Sequence, residues 1–579
     1  MRIARRERPV PRARRGEMTQ ADARLSSLPT TGASRGDSAL TSRATLQLLL
    51  VTSGRTIPTW LFECLKAVEQ SGVAQVVLVW LASPKEVRGP VGLTQRLRRL
   101  CFSLYESLDR HLFRRRPDAL APIALHSALP HCPVLERAEL QPALVGSPID
   151  LVLDPFSHLS DGFSGDFARY GVWSTTFGRS GDPRTQSTPG FWEVIEGRPS
   201  TETRLCVRWR ACAEKVSLYL SVAPTDRRSV SRSRNNVYWK VSAALVRNVQ
   251  KLWEDPETFL ETLQAATPFA AARGPSRPPG NLAVLRAGTR LLRRYVADKG
   301  ASALYREQWA LAYHRGAGQR PGMGAFRKVI PPRDRIWADP FPVQVGNDFY
   351  IFHEELLRST GKGTIVLTVV DHSGAVAPPV PILEKGYHLS YPCVFQWDGD
   401  WFMVPETASQ NQVELYRCVE FPARWKLERV VLSGLRAFDP TPAFLFGKWW
   451  LFATIPAYGA GINDELHLFS ADAPVGPWTP HRNNPIKSDV HSARPAGRIL
   501  ERHGQFYRPA QDCSTRYGYA VSTNHILQLN PEIYEEREVD RIIPNWEPNV
   551  VGVHTLNVAG DMTVVDFLLR RKRFGADFS

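Results

Sequence analysis

Asp339-Pro-Phe-Pro-Val-Gln-Val-Gly-Asn-Asp-Phe-Tyr-Ile-Phe-His-Glu-Glu355 reads as a short strand, a tight Gly-Asn-Asp turn and an aromatic, β-branched return strand, which are the physical signals of a hairpin. The same phrase recurs as Tyr391-Pro to Val404-Pro-Glu406, Asp439-Pro to Trp449-Trp-Leu-Phe452, Arg494-Pro to Phe506-Tyr507 and, more loosely, Val553-His to Asp566-Phe567. Counting from Pro340 to Pro392, Pro440, Pro495 and His554 gives steps of 52, 48, 55 and 59 residues. That period suits one four-stranded blade per copy. Residues 330–579 are therefore expected to close into a five-bladed β-propeller. Its innermost strands converge on an axis, so Asp339, Tyr391, Asp439, Arg494 and His554, the first polar residue of each copy, should point into one funnel.

Working outward, 579 residues exceed what one core holds, so at least one further domain is expected. No run of eighteen apolar residues exists, which argues against a membrane-spanning helix. The net charge of +16 is uneven, with nine arginines against four acids in residues 1–40. Residues 1–44 read as a disordered basic tail with no apolar signal region, and Met18 is an alternative start to Met1. With the charge concentrated there and in a linker helix, and no recognition motif, nucleic-acid binding is not expected. Eight cysteines at 64, 101, 132, 206, 212, 393, 418 and 513 form no C-x-x-C pair. They suit buried thiols in a reducing, cytoplasmic setting rather than disulfides or a metal centre, and no metal site is expected.

Residues 45–264 read as a parallel α/β unit. Strands are expected at Leu46 to Val51, Val73 to Ala82, Ile149 to Phe156 and Tyr170 to Phe177, followed by an antiparallel pair at Thr203 to Trp209 and Val216 to Ala223. Helices are expected from Pro58 to Gln70, over 92–116, and as one long segment from Asn235 to Leu263. Residues 265–329 read as a linker and a basic amphipathic helix. Leu282, Leu285, Leu292 and Tyr295 share a face there, flanked by Arg286, Arg290, Arg293 and Arg294. Peripheral membrane contact through 282–296 is the sharper expectation for that helix and packing between domains the plainer one.

The order of elements over 45–225 resembles the formyltransferase family of methionyl-tRNA and glycinamide ribonucleotide formyltransferases. Aligned on Gly171, the family's catalytic Asn and His fall on Ser174 and Thr176, and its Asp falls near Glu214. The resemblance implies a retained fold with a degenerate site, because hydroxyls are weaker oxyanion donors than an imidazole. A formyl-folate donor is implied only if that domain is active.

Over the repeats, Trp337-Ala-Asp-Pro-Phe341, Val404-Pro-Glu406, Gly476-Pro-Trp-Thr-Pro-His481, Ala493-Arg-Pro-Ala-Gly497 and Arg508-Pro-Ala-Gln-Asp512 resemble the N-terminal domain of plant glucosamine inositolphosphorylceramide transferases. That domain is in turn similar to arabinanase-like and invertase-like glycoside hydrolase propellers. The resemblance implies catalytic roles for Asp339 as base or nucleophile, Asp439 as charge stabiliser and Glu406 as acid, since glycoside cleavage needs a carboxylate and a carboxyl on opposite sides of the bond. Tyr391, Arg494, Arg508, Asp512 and His554 are the expected substrate contacts, and His554 is read as a channel residue before a metal ligand. Glu354, Glu465 and His467 are expected to be structural. The expected function is a carbohydrate-active propeller taking a glycan, glycolipid or sugar nucleotide. The alternatives are a formyl- or acyl-group transferase acting on an amino sugar, and a non-catalytic scaffold.

Overall fold

In the computed structural model, the described residues are 43–82, 93–136, 139–140, 143–144, 148–159, 167–179, 182–209, 214–269, 279–316 and 322–573. Residues 1–42 of the expected tail and Cys212 lie outside them. A mixed α/β domain is followed by an all-β, five-bladed propeller.

The α/β sheet has seven strands in the order Val134–Leu135, Ala74–Leu81, Leu46–Thr52, Leu151–Asp154, Val172–Phe177, Ser200–Arg208 and Val216–Pro224. The first five run parallel and the last two antiparallel. Leu48, Leu50, Leu151 and Leu153 turn to one face, packed against helices Thr59–Gln70 and Val230–Glu254, while Leu49, Val51 and Val152 turn to the other. The period-2 alternation of side chains divides an all-apolar strand between two cores in this way.

The segment expected as one helix over 235–263 is two. Val230–Glu254 ends at Asp255, which is extended (φ −149°, ψ 80°) and accepts the Thr258 amide at 3.1 Å, and Pro256–Ala265 begins anew. A residue before proline avoids the helical region, and an aspartate at that point caps the next helix.

Each of the first three repeat phrases forms the inner hairpin of a four-stranded blade: Arg335–Val345 with Asp348–Leu357, Ser390–Trp397 with Asp400–Glu406, and Phe438–Leu445 with Lys448–Thr454. The fourth blade is built on Gln505–Asp512 and Ala520–Leu529. The fifth departs from expectation. Its inner strands, Leu556–Ala559 and Met562–Lys572, are C-terminal, but its outer strands are Tyr305–Arg315 and Arg327–Val329. Eleven register pairs from Tyr305↔Lys572 to Arg315↔Met562 join the two ends of the domain. Part of the expected 265–329 linker is thus the clasp that closes the ring and removes its open edge.

Candidate functional site

The X-Pro step that opens the first three repeats is a β-bulge. Register shifts fall between Ala338 and Phe341, Ser390 and Cys393, and Phe438 and Thr441, so the inserted pairs are Asp339-Pro340, Tyr391-Pro392 and Asp439-Pro440. Proline has no N–H to give the ladder. The residue before it adopts the left-handed conformation, with φ of 53° at Asp339, 47° at Tyr391 and 51° at Asp439, a strain of about 1–2 kcal/mol each for a non-glycine residue. The bulge turns each amide out of the ladder, and a carboxylate takes it. Asp566 Oδ2 accepts Asp339 N at 2.9 Å, Asp339 Oδ2 accepts Tyr391 N at 3.2 Å, and Glu406 Oε2 accepts Asp439 N at 3.2 Å. A relay of acids therefore runs from the fifth blade to the third around the axis.

Two polar groups share the centre of the ring. In the first, His554 lies between two aspartates, its Nε2 3.3 Å from Asp339 Oδ1 and its Nδ1 2.7 Å from Asp566 Oδ2, the latter without the alignment of a hydrogen bond. Its ring stacks on Trp309 at 4.0 Å. Gly518 permits that contact, because at φ 61° a Cβ would come within 2.8 Å of Trp309 and 2.9 Å of His554. Burial opposes charge on the imidazole, but Asp566 and Asp339 prevail and hold its pKa above the usual value. Burial pushes Asp339 up to about 6, with His554 opposing and Asp439 and Asp566 adding to the rise.

In the second group, Arg494 forks onto Asp439, Nε to Oδ2 at 2.6 Å and Nη2 to Oδ1 at 3.2 Å, the bidentate geometry that makes such pairs strong. Its Nη2 also lies 3.6 Å from Glu406 Oε2, and its Nη1 donates to Asn463 Oδ1 at 2.8 Å. Gln511 Nε2 donates to Asp439 at 2.8 Å. Burial, then the neighbouring Asp439, push Glu406 well above the carboxylate range despite Arg494. Tyr391 is buried, its hydroxyl 2.9 Å from Thr441 Oγ1 and accepting Gly497 N at 2.7 Å.

Asp339, Tyr391, Glu406, Asp439, Arg494 and His554 are thus gathered as the repeats imply, all of them buried. Arg508 is not among them. It is sealed within the fourth blade, its Nε 2.8 Å from Glu536 Oε2 and its Nη2 2.6 Å from Glu536 Oε1, with further bonds to Tyr534 and the Ser492 carbonyl. Asp512 is also buried and turned away from the gathered residues, bonded to Arg541 and 3.5 Å from His491, whose Nε2 is 3.4 Å from Ser200 Oγ of the α/β domain.

Three further residues lie at the same centre. Glu354, expected to be structural, is raised well above the carboxylate range by burial and by Asp339, Glu406, Asp566 and Asp439. Its nearest basic group is His388 Nε2 at 3.5 Å. Its register position opposite Ala338 matches that of Glu406 opposite Ser390, an equivalence the repeat alignment contained. Asp566 lies in the loosest copy. Tyr517, 42% exposed, covers Arg494 at 4.9 Å and His554 at 5.4 Å.

Asp339, His554 and Asp566 each bring one ligand atom within 4.8 Å of the others. Their carboxylates are already engaged, Asp566 by the amides of Asp339, His554 and Thr555 and Asp339 by Tyr391 N and Thr555 Oγ1. Asp566 and Asp339 also draw His554 towards its charged form against burial.

In the α/β domain, Ser174 is buried and accepts Lys215 Nζ at 3.0 Å, Thr176 lies 3.7 Å from Cys206 Sγ, and Glu214 is exposed. Beside Ser174, Asp154 accepts the amides of His158 and Leu159 at 2.8 and 2.9 Å, and burial raises its pKa.

Residues 331–550 match the family of the N-terminal domain of glucosamine inositolphosphorylceramide transferase 1. Glucosamine inositolphosphorylceramide transferase 1 of Oryza sativa subsp. japonica is 37% identical over 207 residues, 35% of this chain and 28% of that protein. That of Arabidopsis thaliana is 37% identical over 206 residues, 35% of this chain and 27% of that protein. The chain spans less than a third of the length of these relatives. Among solved structures, a family 117 glycoside hydrolase of Zobellia galactanivorans aligns with TM-score 0.31 and 12% identity over 46% of this chain and 91% of its own. An α-L-arabinofuranosidase of Podospora anserina aligns with TM-score 0.32 and 9% identity over 41% and 90%.

Proposed function

We propose, starting from a C-terminal propeller related to the N-terminal domain of glucosamine inositolphosphorylceramide transferases, that the funnel binds the sugar part of a glycoconjugate. The observation that carries this reading is the convergence of Glu354, Glu406, Asp339, Asp439, Arg494 and His554 beneath the exposed ring of Tyr517. Sugars are recognised by fixed charged and polar groups that accept and donate to hydroxyls, with an aromatic face against the ring's C–H groups. Glu354 is the group with most to offer. Burial and the acids around it disfavour its charged form, an uncharged carboxyl can donate to a hydroxyl or a glycosidic oxygen, and its carboxyl is not tied into the relay of amides.

The relay favours binding over hydrolysis. Asp439 is engaged by Arg494 and Gln511, and Asp339 by Tyr391, Thr555 and His554, so neither is a free base. In glycoside cleavage a second carboxylate must be free to take a proton from water or to attack carbon. A panel of soluble glycans and sugar nucleotides, titrated calorimetrically into the full chain, tests the proposal. A saturable ligand is expected, and Glu354→Leu, which keeps the volume but neither donates nor accepts, should weaken it by about tenfold, the value of one lost hydrogen bond. Absence of any ligand, or binding indifferent to both Glu354→Leu and Tyr517→Ala, overturns the reading.

A further inference from the structure

Helices Leu93–Leu112 and Asn281–Leu304 meet on one flank of the α/β domain through a small core that buries Phe102 of the first and Ala287 of the second against Phe191, Val194, Ile195 and Val230. Their inner faces turn to that core, and their outer faces are apolar. On the first helix Leu100, Leu104, Leu108 and Leu112, four residues apart, are 55%, 62%, 58% and 63% exposed. On the second, Leu282, Leu285, Leu292, Tyr295 and Val296 are 52–66% exposed. Single exposed leucines are ordinary, whereas rows of them on adjacent helices mark an interaction surface.

The acidic side chains of these two helices are all engaged. Glu106 is paired with Arg234, Asp109 is buried on Ser229 and Ser231, and Asp298 is paired with Arg228. Among the described residues Arg286, Arg290 and Arg293 have no carboxylate partner. At 100° per residue Arg286 and Arg293 fall within about 40° of Leu282, along the edge of the leucine row. A second copy docking on this face would press like-charged rows together. An occupant apolar below and anionic at its surface satisfies both.

A second feature lies at the end of the same helix. Leu304 runs straight into the clasp strand, where Arg306, Gln308, Arg333, Arg571, Lys572 and Arg573 line a cavity of about 220 Å³. Buried Gln308 anchors this wall. Its Nε2 donates to the carbonyls of Pro332 at 2.7 Å and Arg335 at 2.6 Å, and its Oε1 accepts Arg571 Nη1 at 2.7 Å. Five cationic side chains thus surround a cavity on the strand that directly follows the helix, a setting suited to an anionic group.

We infer that the paired outer faces of helices Leu93–Leu112 and Asn281–Leu304 lie on an anionic lipid membrane, with the leucines at the acyl boundary and the arginines at the lipid phosphates. Apolar area and electrostatic attraction both contribute to such peripheral binding. The inference stands apart from sugar recognition and survives its failure.

Co-sedimentation of the full chain with phosphatidylcholine vesicles, with and without phosphatidylserine, tests it. Binding is expected only with phosphatidylserine and should weaken with salt. Leu285→Asp with Leu292→Asp, and separately Arg286→Glu with Arg290→Glu and Arg293→Glu, should each lower the partition coefficient about tenfold or more, while circular dichroism and the melting curve stay unchanged because these side chains are exposed. Three outcomes overturn the inference: no binding to the anionic vesicles; binding that survives both sets of substitutions, as it would if the arginine-rich N-terminal segment were responsible; or a dimer in sedimentation velocity that the leucine substitutions dissociate.

Discussion

Asp339 caps the amide of Tyr391, accepts Thr555 and faces His554, and its burial sets the pH behaviour of the ring. Its folded pKa of about 6 lies above the ordinary 3.8, so the folded state binds this proton more tightly than the unfolded state does. The stability it contributes is full below about 4 and is lost as pH rises through about 6. His554, also raised, gives a contribution present below its ordinary value and lost as pH rises through the folded one, so the two slopes share a sign. The gap in unfolding free energy between wild type and Asp339→Asn, from urea titrations, should therefore narrow from pH 4 to pH 7. A gap that widens would mean Asp339 is a stabilised carboxylate. Glu536 has the opposite sign. Burial resists its ionisation, but Arg508 and Lys487 pull its pKa down to about 2. Its contribution is present above about 4.5 and lost as pH falls towards 2. Glu536→Gln should accordingly be destabilised at pH 7 and approach wild type near pH 2.

At the scale of elements, the inner hairpins were legible because three signals coincide in each: a proline that cannot join a ladder, a tight turn and an aromatic return strand. The bulge was not legible, since Asp339-Pro reads equally as the first two residues of a flat strand. The left-handed φ that Asp339, Tyr391 and Asp439 share shows only in the structure. The placement of Glu354 is hidden for a related reason. It lies on a return strand, and only the register opposite Ala338 brings it to the axis. The clasp was hidden by separation, because Tyr305 pairs with Lys572, far along the chain, and hydrophobic periodicity reports nothing at that distance. Its importance is testable. A chain of residues 305–573 should unfold cooperatively in urea, whereas one of 330–573, which leaves Met562–Lys572 without its outer partner, should not. Equal cooperativity in the two would show that the ring closes without the clasp.

On the scale of the whole molecule, the two domains meet at the end of the propeller where the inner strands begin. The loop after Thr454 and the segment before Arg494 both touch the α/β domain. Val222 N donates to Ser488 O and Val490 N to Val222 O, each at 2.9 Å, and Tyr219 OH donates to Glu465 Oε1 at 2.6 Å. Glu465, which also lies 3.5 Å from Arg247 Nη2, therefore joins the two domains. At its centre Lys240 Nζ lies 2.9 Å from Asp464 Oδ2, with side chains 1% and 0% exposed. Neither charge reaches water, so each depends on the other. Removing one should cost about 3–5 kcal/mol, because the survivor is left buried and unpaired, whereas removing both with residues of similar volume should be far less harmful. Lys240→Met is thus expected to lower the melting temperature sharply, and Lys240→Met with Asp464→Leu to recover most of the loss. If the junction is a rigid support for the funnel rim, the double variant should also retain sugar binding. A double variant no better than the single one would mean that the pair specifies the docking geometry itself, and that apolar packing around Trp239 and Tyr458, whose rings meet edge-on at 5.1 Å, cannot hold the domains in register alone.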